Sequence, residues 1–122
     1  MQFKDVSSLT GLTNLETLDL NNNQITDVSP LARVTNLEWL GLGNNHITDV
    51  NPLAGVTNLY WLSLNNNQIE DVSPLARVTN LEELYLTENP IPSDSSANAQ
   101  PICPVSPPNV CKFEDFPSAK TY

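Results

Sequence analysis

The residues of this chain with chemistry to offer are two tryptophans, a recurring asparagine, a column of aspartates, one histidine and two cysteines. Trp39 and Trp61 stand at equivalent places in a repeated phrase, and an indole offers a broad face for stacking or for meeting a cation. Asn23, Asn45, Asn67 and Asn89 also recur in step, and an amide can donate to and accept from the backbone of adjacent coils. Asp27, Asp49 and Asp71 could suggest calcium, but each precedes a Val and then Ser or Asn before Pro, which is capping chemistry for a short helical turn. His46 falls in the column of Gln24 and Gln68, an ordinary turn position. No Ser, Cys or carboxylate in the frame is placed to use it as a base, so no enzymatic activity, metal site or cofactor is expected.

These residues are positioned by a phrase that occurs four times, starting at Leu15, Leu37, Leu59 and Leu81, with a period of about 22 residues. Self-similarity of that length signals a solenoid. Within each phrase Leu18, Leu40, Leu62 and Leu84, and then Leu20, Leu42, Leu64 and Leu86, alternate with other residues at period two. One short strand per coil therefore turns its leucines inward, and successive strands lie parallel in a continuous sheet. Ile25, Ile47, Ile69 and Ile91 follow the turn asparagines. The return half, Asp27-Val-Ser-Pro-Leu-Ala32 and its repeats at Asn51-Pro52 and Ser73-Pro74, predicts 3₁₀ or single-turn helices. One coil alone buries too little to fold, so neighbours must supply shared contacts.

The pattern L-x-x-L-x-L-x-x-N-x-I followed by D-V-x-P-L-A resembles the leucine-rich repeat. It is similar to the 22-residue variety found in bacterial internalins and in a eukaryotic phosphatase regulatory subunit, over residues 3 to 91. The resemblance implies an α/β solenoid with a parallel sheet on the concave face and short helices on the convex face. It also implies a binding protein that uses the concave surface, here Trp39, Gly41, Trp61, Ser63, Tyr85 and their neighbours. The immunoglobulin-like domain that adjoins internalin repeats has no counterpart in this sequence.

Residues 1–11 read as a partial repeat, with Phe3 in the Ile25 column, and residues 12–91 as the complete repeats. The edge of the first strand is then a template for an upstream repeat of a longer array, for a partner, or for self-association. Residues 92–113 read as a carboxyl-terminal cap, in which Ile102, Val105, Val110 and Phe113 could cover the last coil, and residues 114–122 as a mobile tail. Cys103 and Cys111 suggest a disulfide stapling the cap, with two free thiols or a metal site as the other readings. A bridge would favour a secreted or periplasmic location, and free thiols the cytoplasm.

Down the outward strand positions, one column reads Thr17, Trp39, Trp61, Glu83 and the next Asp19, Gly41, Ser63, Tyr85. Tyr60 and Glu38 stand just before the strands. Gly41 and Gly43, lacking side chains, are expected to leave a shallow depression beside Trp39. Acidic residues surround the aromatic centre (Glu16, Asp19, Glu38, Glu82, Glu83, Glu88), and all five basic residues (Lys4, Arg33, Arg77, Lys112, Lys120) are expected off the strand face. The partner-binding candidates are therefore Trp39, Trp61, Tyr60, Tyr85, Gly41, Gly43, Ser63, Asp19, Glu38 and Glu83. They fit a protein partner with a basic or apolar exposed segment; the other readings are a carbohydrate-binding module, a face whose indoles merely cover the sheet, and a structural fragment of a longer array. The formal net charge of −9 disfavours nucleic acid. No apolar run approaches the roughly 20 residues of a membrane span, and Met1 opens no signal-peptide pattern.

Overall fold

The computed structural model describes residues 9, 11–91 and 110–112. Strands β1 (Thr17–Asp19), β2 (Trp39–Gly41), β3 (Trp61–Ser63), β4 (Glu83–Tyr85) and β5 (Cys111–Lys112) form one parallel sheet in chain order. Equivalent residues pair across it, Leu18 with Leu40, Leu62 and then Leu84. The register is therefore that of the repeat itself, and a one-residue slip would turn every leucine to the wrong face.

The return halves carry 3₁₀ segments at Ser29–Arg33, Asn51–Gly55 and Ser73–Arg77, each with Pro in its opening turn. Just before them, Asp27, Asp49 and Asp71 accept the backbone N–H of Ser29, Asn51 and Ser73, each at 2.9 Å. The aspartate column thus caps the turns by bonding two residues ahead. Ser29 donates to Asp27 through its backbone and then its side chain, and Ser73 to Asp71 in the reverse order of weight; both carboxyls are held below their ordinary range.

Between sheet and 3₁₀ segments lies a core of Leu, Ile and Val, with Leu40, Leu42, Ile47, Leu53, Leu62 and Leu64 fully buried. Leu18 in the first strand is only partly buried, because its coil has the stack on one side among the described residues.

The turns out of the strands are held by the asparagine ladder. Asn45 donates to Leu42 O at 2.9 Å and, across to the previous coil, to Leu20 O at 3.1 Å, while its Oδ1 accepts Ile25 N–H at 3.0 Å. Asn67 repeats this with Leu64 O, Leu42 O and Ile47 N–H. Asn89 repeats it with Leu86 O, Leu64 O and Ile69 N–H. Each amide satisfies peptide groups that the turn leaves facing the core. A second ladder runs on the exposed side, from Asn36, Asn58 and Asn80 to the carbonyls of Thr13, Thr35 and Thr57.

One residue before each asparagine of the Asn23, Asn45, Asn67, Asn89 column the backbone enters the left-handed region, at Asn22 (φ 63°), Asn44 (59°), Asn66 (61°) and Glu88 (63°). Asparagine tolerates this conformation because its short amide bonds locally, whereas glutamate does not share that advantage.

The fifth strand is a feature that the repeat pattern did not foretell. Cys111 pairs with Leu84 and Lys112 with Tyr85, and Val110 and Cys111 join the hydrophobic core. Cys111 is disulfide-bonded. The chain's other cysteine, Cys103, and the remaining expected cap residues Ile102, Val105 and Phe113 lie outside the described residues, as do the expected tail and residues 1–8.

Candidate recognition surface on the sheet

Because the leucines occupy the inward positions of β2 and β3, Trp39 and Trp61 must project from the other side. They pair in register and stack with ring centroids 4.3 Å apart and planes inclined by 4°. That separation is close to the spacing of adjacent strands, so two indoles on neighbouring strands can lie face to face without distorting the sheet. Tyr85, beyond Ser63 on the next column, adds a third ring at 5.5 Å from Trp61, tilted by 47°. The aromatic row thus runs across the strands from β4 to β2. Both indoles are half-buried, and Tyr60, 42% exposed, flanks them.

Tyr85 is buried and donates its hydroxyl to Glu83 Oε1 at 2.5 Å. Burial, above all, and then this bond to a carboxylate push its pKa up to about 12, while a hydrogen bond with Trp61 works in the opposite sense. The tyrosine therefore holds the β4 end of the row in place, with its ring turned away from solvent.

The depression expected at Gly41 and Gly43 is not open. Asn21 lies over both: its Oδ1 accepts Gly43 N–H at 2.6 Å, its Nδ2 donates to Asp19 Oδ1 at 2.7 Å, and a Cβ placed on Gly41 would come within 2.6 Å of that Nδ2. The missing side chains make room for a neighbour's amide, which is the close approach that glycine in a strand permits. Asn65 makes the corresponding contact two coils on, accepting Thr87 N–H at 2.9 Å. Ser63, beside them, is fully buried with no partner for its hydroxyl among the described residues. Of the ten binding candidates, Gly41, Gly43, Ser63 and Tyr85 therefore support the surface from beneath. Trp39, Trp61, Tyr60, Asp19, Glu38 and Glu83 retain solvent exposure.

Lys112, expected off the strand face, pairs in register with Tyr85 at the β5 end of the sheet. Acidic residues on the strands and their approaches, Glu16, Asp19 and Glu38, are exposed at the opposite, β1–β2 end.

Elsewhere, a shallow recess of about 350 Å³ opens at the turns, lined by Asn44, Asn45, His46, Asn66, Asn67 and Gln68. His46 is exposed, and its backbone N–H continues the coil-to-coil bonding by donating to Ile25 O. No group of three or more His, Cys, Asp or Glu able to hold a metal ion occurs among the described residues, and none of their helices is long and apolar enough to cross a membrane.

A stacked series of strand, asparagine turn and 3₁₀ return, repeated in register, defines a leucine-rich solenoid. The chain belongs to the leucine-rich repeat family: the family model described as leucine rich repeats (2 copies) matches residues 1–33, 35–75 and 57–99. Among solved structures, it is similar to an internalin (inlF) of Listeria monocytogenes, at 40% identity and TM-score 0.71 over 72% of this chain and 26% of that one. Internalin C2 of the same organism matches at 37% identity and TM-score 0.73, over 92% of this chain and 57% of that one. A leucine-rich repeat protein of Leptospira interrogans matches at 30% identity and TM-score 0.68, over 80% of this chain and 25% of that one. The chain spans about a quarter to just over half the length of these relatives. A search of curated proteins finds no significant match.

Proposed function

We propose that this chain is a non-catalytic scaffold that binds another protein through the outward face of its sheet. The observation that carries the reading is the aromatic row. Two stacked, half-exposed indoles with an exposed tyrosine beside them stand on the side of the sheet that the core does not need. Large aromatics on solvent-facing positions mark interaction surfaces and are prominent among residues whose truncation costs most affinity. Leucine-rich repeat proteins generally act as protein-interaction scaffolds, and the structural relatives named internalins belong to that class. The surrounding carboxylates favour a partner with exposed Lys or Arg, by charge steering and cation–π contact.

Crosslinking capture from the source organism, wild type against Trp39→Ala, Trp61→Ala, tests this. Proteins captured by the wild type should be lost with the double variant while its urea-unfolding midpoint stays near that of the wild type. Capture of the same partner by both would refute the surface. Carbohydrate binding remains the second reading, since indoles with Asn and Asp also suit a sugar, and a glycan array would reveal it. The lesser depth of the face, with Gly41 and Gly43 filled by Asn21, favours a protein over an enclosed sugar.

A further inference from the structure

The aromatic row has one finished end and one unfinished end. At β4 it closes on buried Tyr85, whose hydroxyl is fixed to Glu83. At β2, Trp39 has Trp61 against one face and no other ring contact among the described residues. The stacking axis runs across the strands, so the opposite face of Trp39 looks toward β1, where its register partner is Thr17. Thr17 is small and exposed. One strand spacing beyond Trp39, the place that a further flat group would take in the row is thus left clear above exposed Thr17 among the described residues.

The charge around that place is negative. Asp19 shares the outward face of β1 with Thr17. Its Oδ1 is held by the backbone and side-chain N–H groups of Asn21, at 3.0 and 2.7 Å, and its Oδ2 has no partner among the described residues. The bonds on Oδ1 fix the carboxylate, so its free oxygen is presented without the loss of side-chain freedom that usually weakens an exposed ion pair. Glu16 and Glu38, joined by the bond from Glu38 N–H to Glu16 O, are exposed on the approach to the same two strands.

We infer that the space above Thr17 is a seat for an arginine side chain of the partner protein, its guanidinium stacked on the open face of Trp39 and bonded to Asp19. This rests on the reading of the sheet face as a protein-binding surface and specifies its anchor. A planar, delocalised cation meets both demands of the seat at once, a flat contact with the indole and in-plane N–H groups for a carboxylate. An ammonium meets only the charge.

The test is an NMR titration of the isotope-labelled chain with acetyl-arginine amide, following the indole N–H of Trp39 and the backbone N–H of Thr17. Saturable shifts centred on these two are expected, with acetyl-lysine amide binding at least ~3-fold more weakly. Asp19→Asn should weaken the arginine response, and Thr17→Trp, which fills the seat, should abolish it. Each variant is checked by its urea-unfolding midpoint and by the upfield shift that stacking on Trp39 gives the Trp61 ring protons, so that loss of fold is not mistaken for loss of the seat. A response that is absent, centred on Trp61, equal for lysine, or reproduced by uncharged benzamide or methyl glucoside would overturn the inference. If a captured partner survives Thr17→Trp but is lost in Trp39→Ala, Trp61→Ala, the binding face stands and the arginine seat falls.

Discussion

Replacing Asn67 with alanine isolates the contribution of the turn ladder, because the consequences can be followed group by group. The substitution removes donors to Leu64 O, Leu42 O and Asn65 O, and the acceptor of Ile47 N–H. The three carbonyls each keep another donor: Asn89 Nδ2 on Leu64 O, Asn45 Nδ2 on Leu42 O, and Asn44 N–H on Asn65 O. Ile47 N–H keeps none, and the residue is fully buried. One stranded buried donor costs about 1–3 kcal/mol. Asn80→Ala, which removes an exposed bond to Thr57 O, should change stability by less than about 0.5 kcal/mol. Urea unfolding gives both values, and hydrogen exchange locates the loss, since the Ile47 amide should lose protection in Asn67→Ala alone. Equal costs for the two variants, or an Ile47 amide as protected as in the wild type, would refute the reasoning.

At Glu88, which holds φ 63° where the three preceding coils place asparagine, Glu88→Asn should raise stability by about 0.5–1 kcal/mol, measured by urea midpoint. Gly41→Ala should displace Asn21 from its 2.6 Å bond to Gly43 N–H, at a cost of about 1 kcal/mol, with the Gly43 amide exchanging faster. Tyr85 titrates near 12 in the folded chain against 10.0 ordinarily. The unfolded chain therefore loses this proton first, so the contribution of Tyr85 is complete below pH 10 and declines as pH rises from 10 toward 12. Alkaline unfolding compared with Tyr85→Phe should show that window; the same pH dependence in both chains would contradict it. Asp27 and Asp71 have the reverse sign, their folded values being lowered. What they contribute is present above the ordinary carboxylate range and fades as pH falls through their folded values, so replacing both with Asn should flatten the acid limb of stability.

The repeat frame was legible because each of its columns answers to one physical demand. Leucines at period two dictate which way the strand faces, and an asparagine at each turn dictates where its unpaired peptides go. Trp39 and Trp61 could be set side by side from spacing alone, since the register of a parallel sheet built from equal coils is the repeat. What spacing does not convey is how long side chains cross between coils. The expectation of a bare hollow at Gly41 and Gly43 failed for that reason: Asn21, one coil earlier, reaches over both. The left-handed column at Asn22, Asn44 and Asn66 carried a signal in its residue type, which only the exception at Glu88 obscures. Strand β5 was hidden because Cys111 and Lys112 follow the end of the repeat pattern and pair by position rather than by periodicity.

The central claim, that the indoles form a pair on the side of the sheet away from the leucines, is tested most directly by the NMR chemical shifts of the indole ring protons in the folded chain and in Trp39→Ala. Indoles stacked face to face 4.3 Å apart should shield each other's ring protons and move them upfield; in the variant the Trp61 protons should lose that shift, while its unfolding midpoint stays close to that of the wild type. A wild type whose indole ring protons show no upfield shift, or a variant destabilised by the roughly 3–5 kcal/mol expected for an aromatic removed from a core, would contradict it.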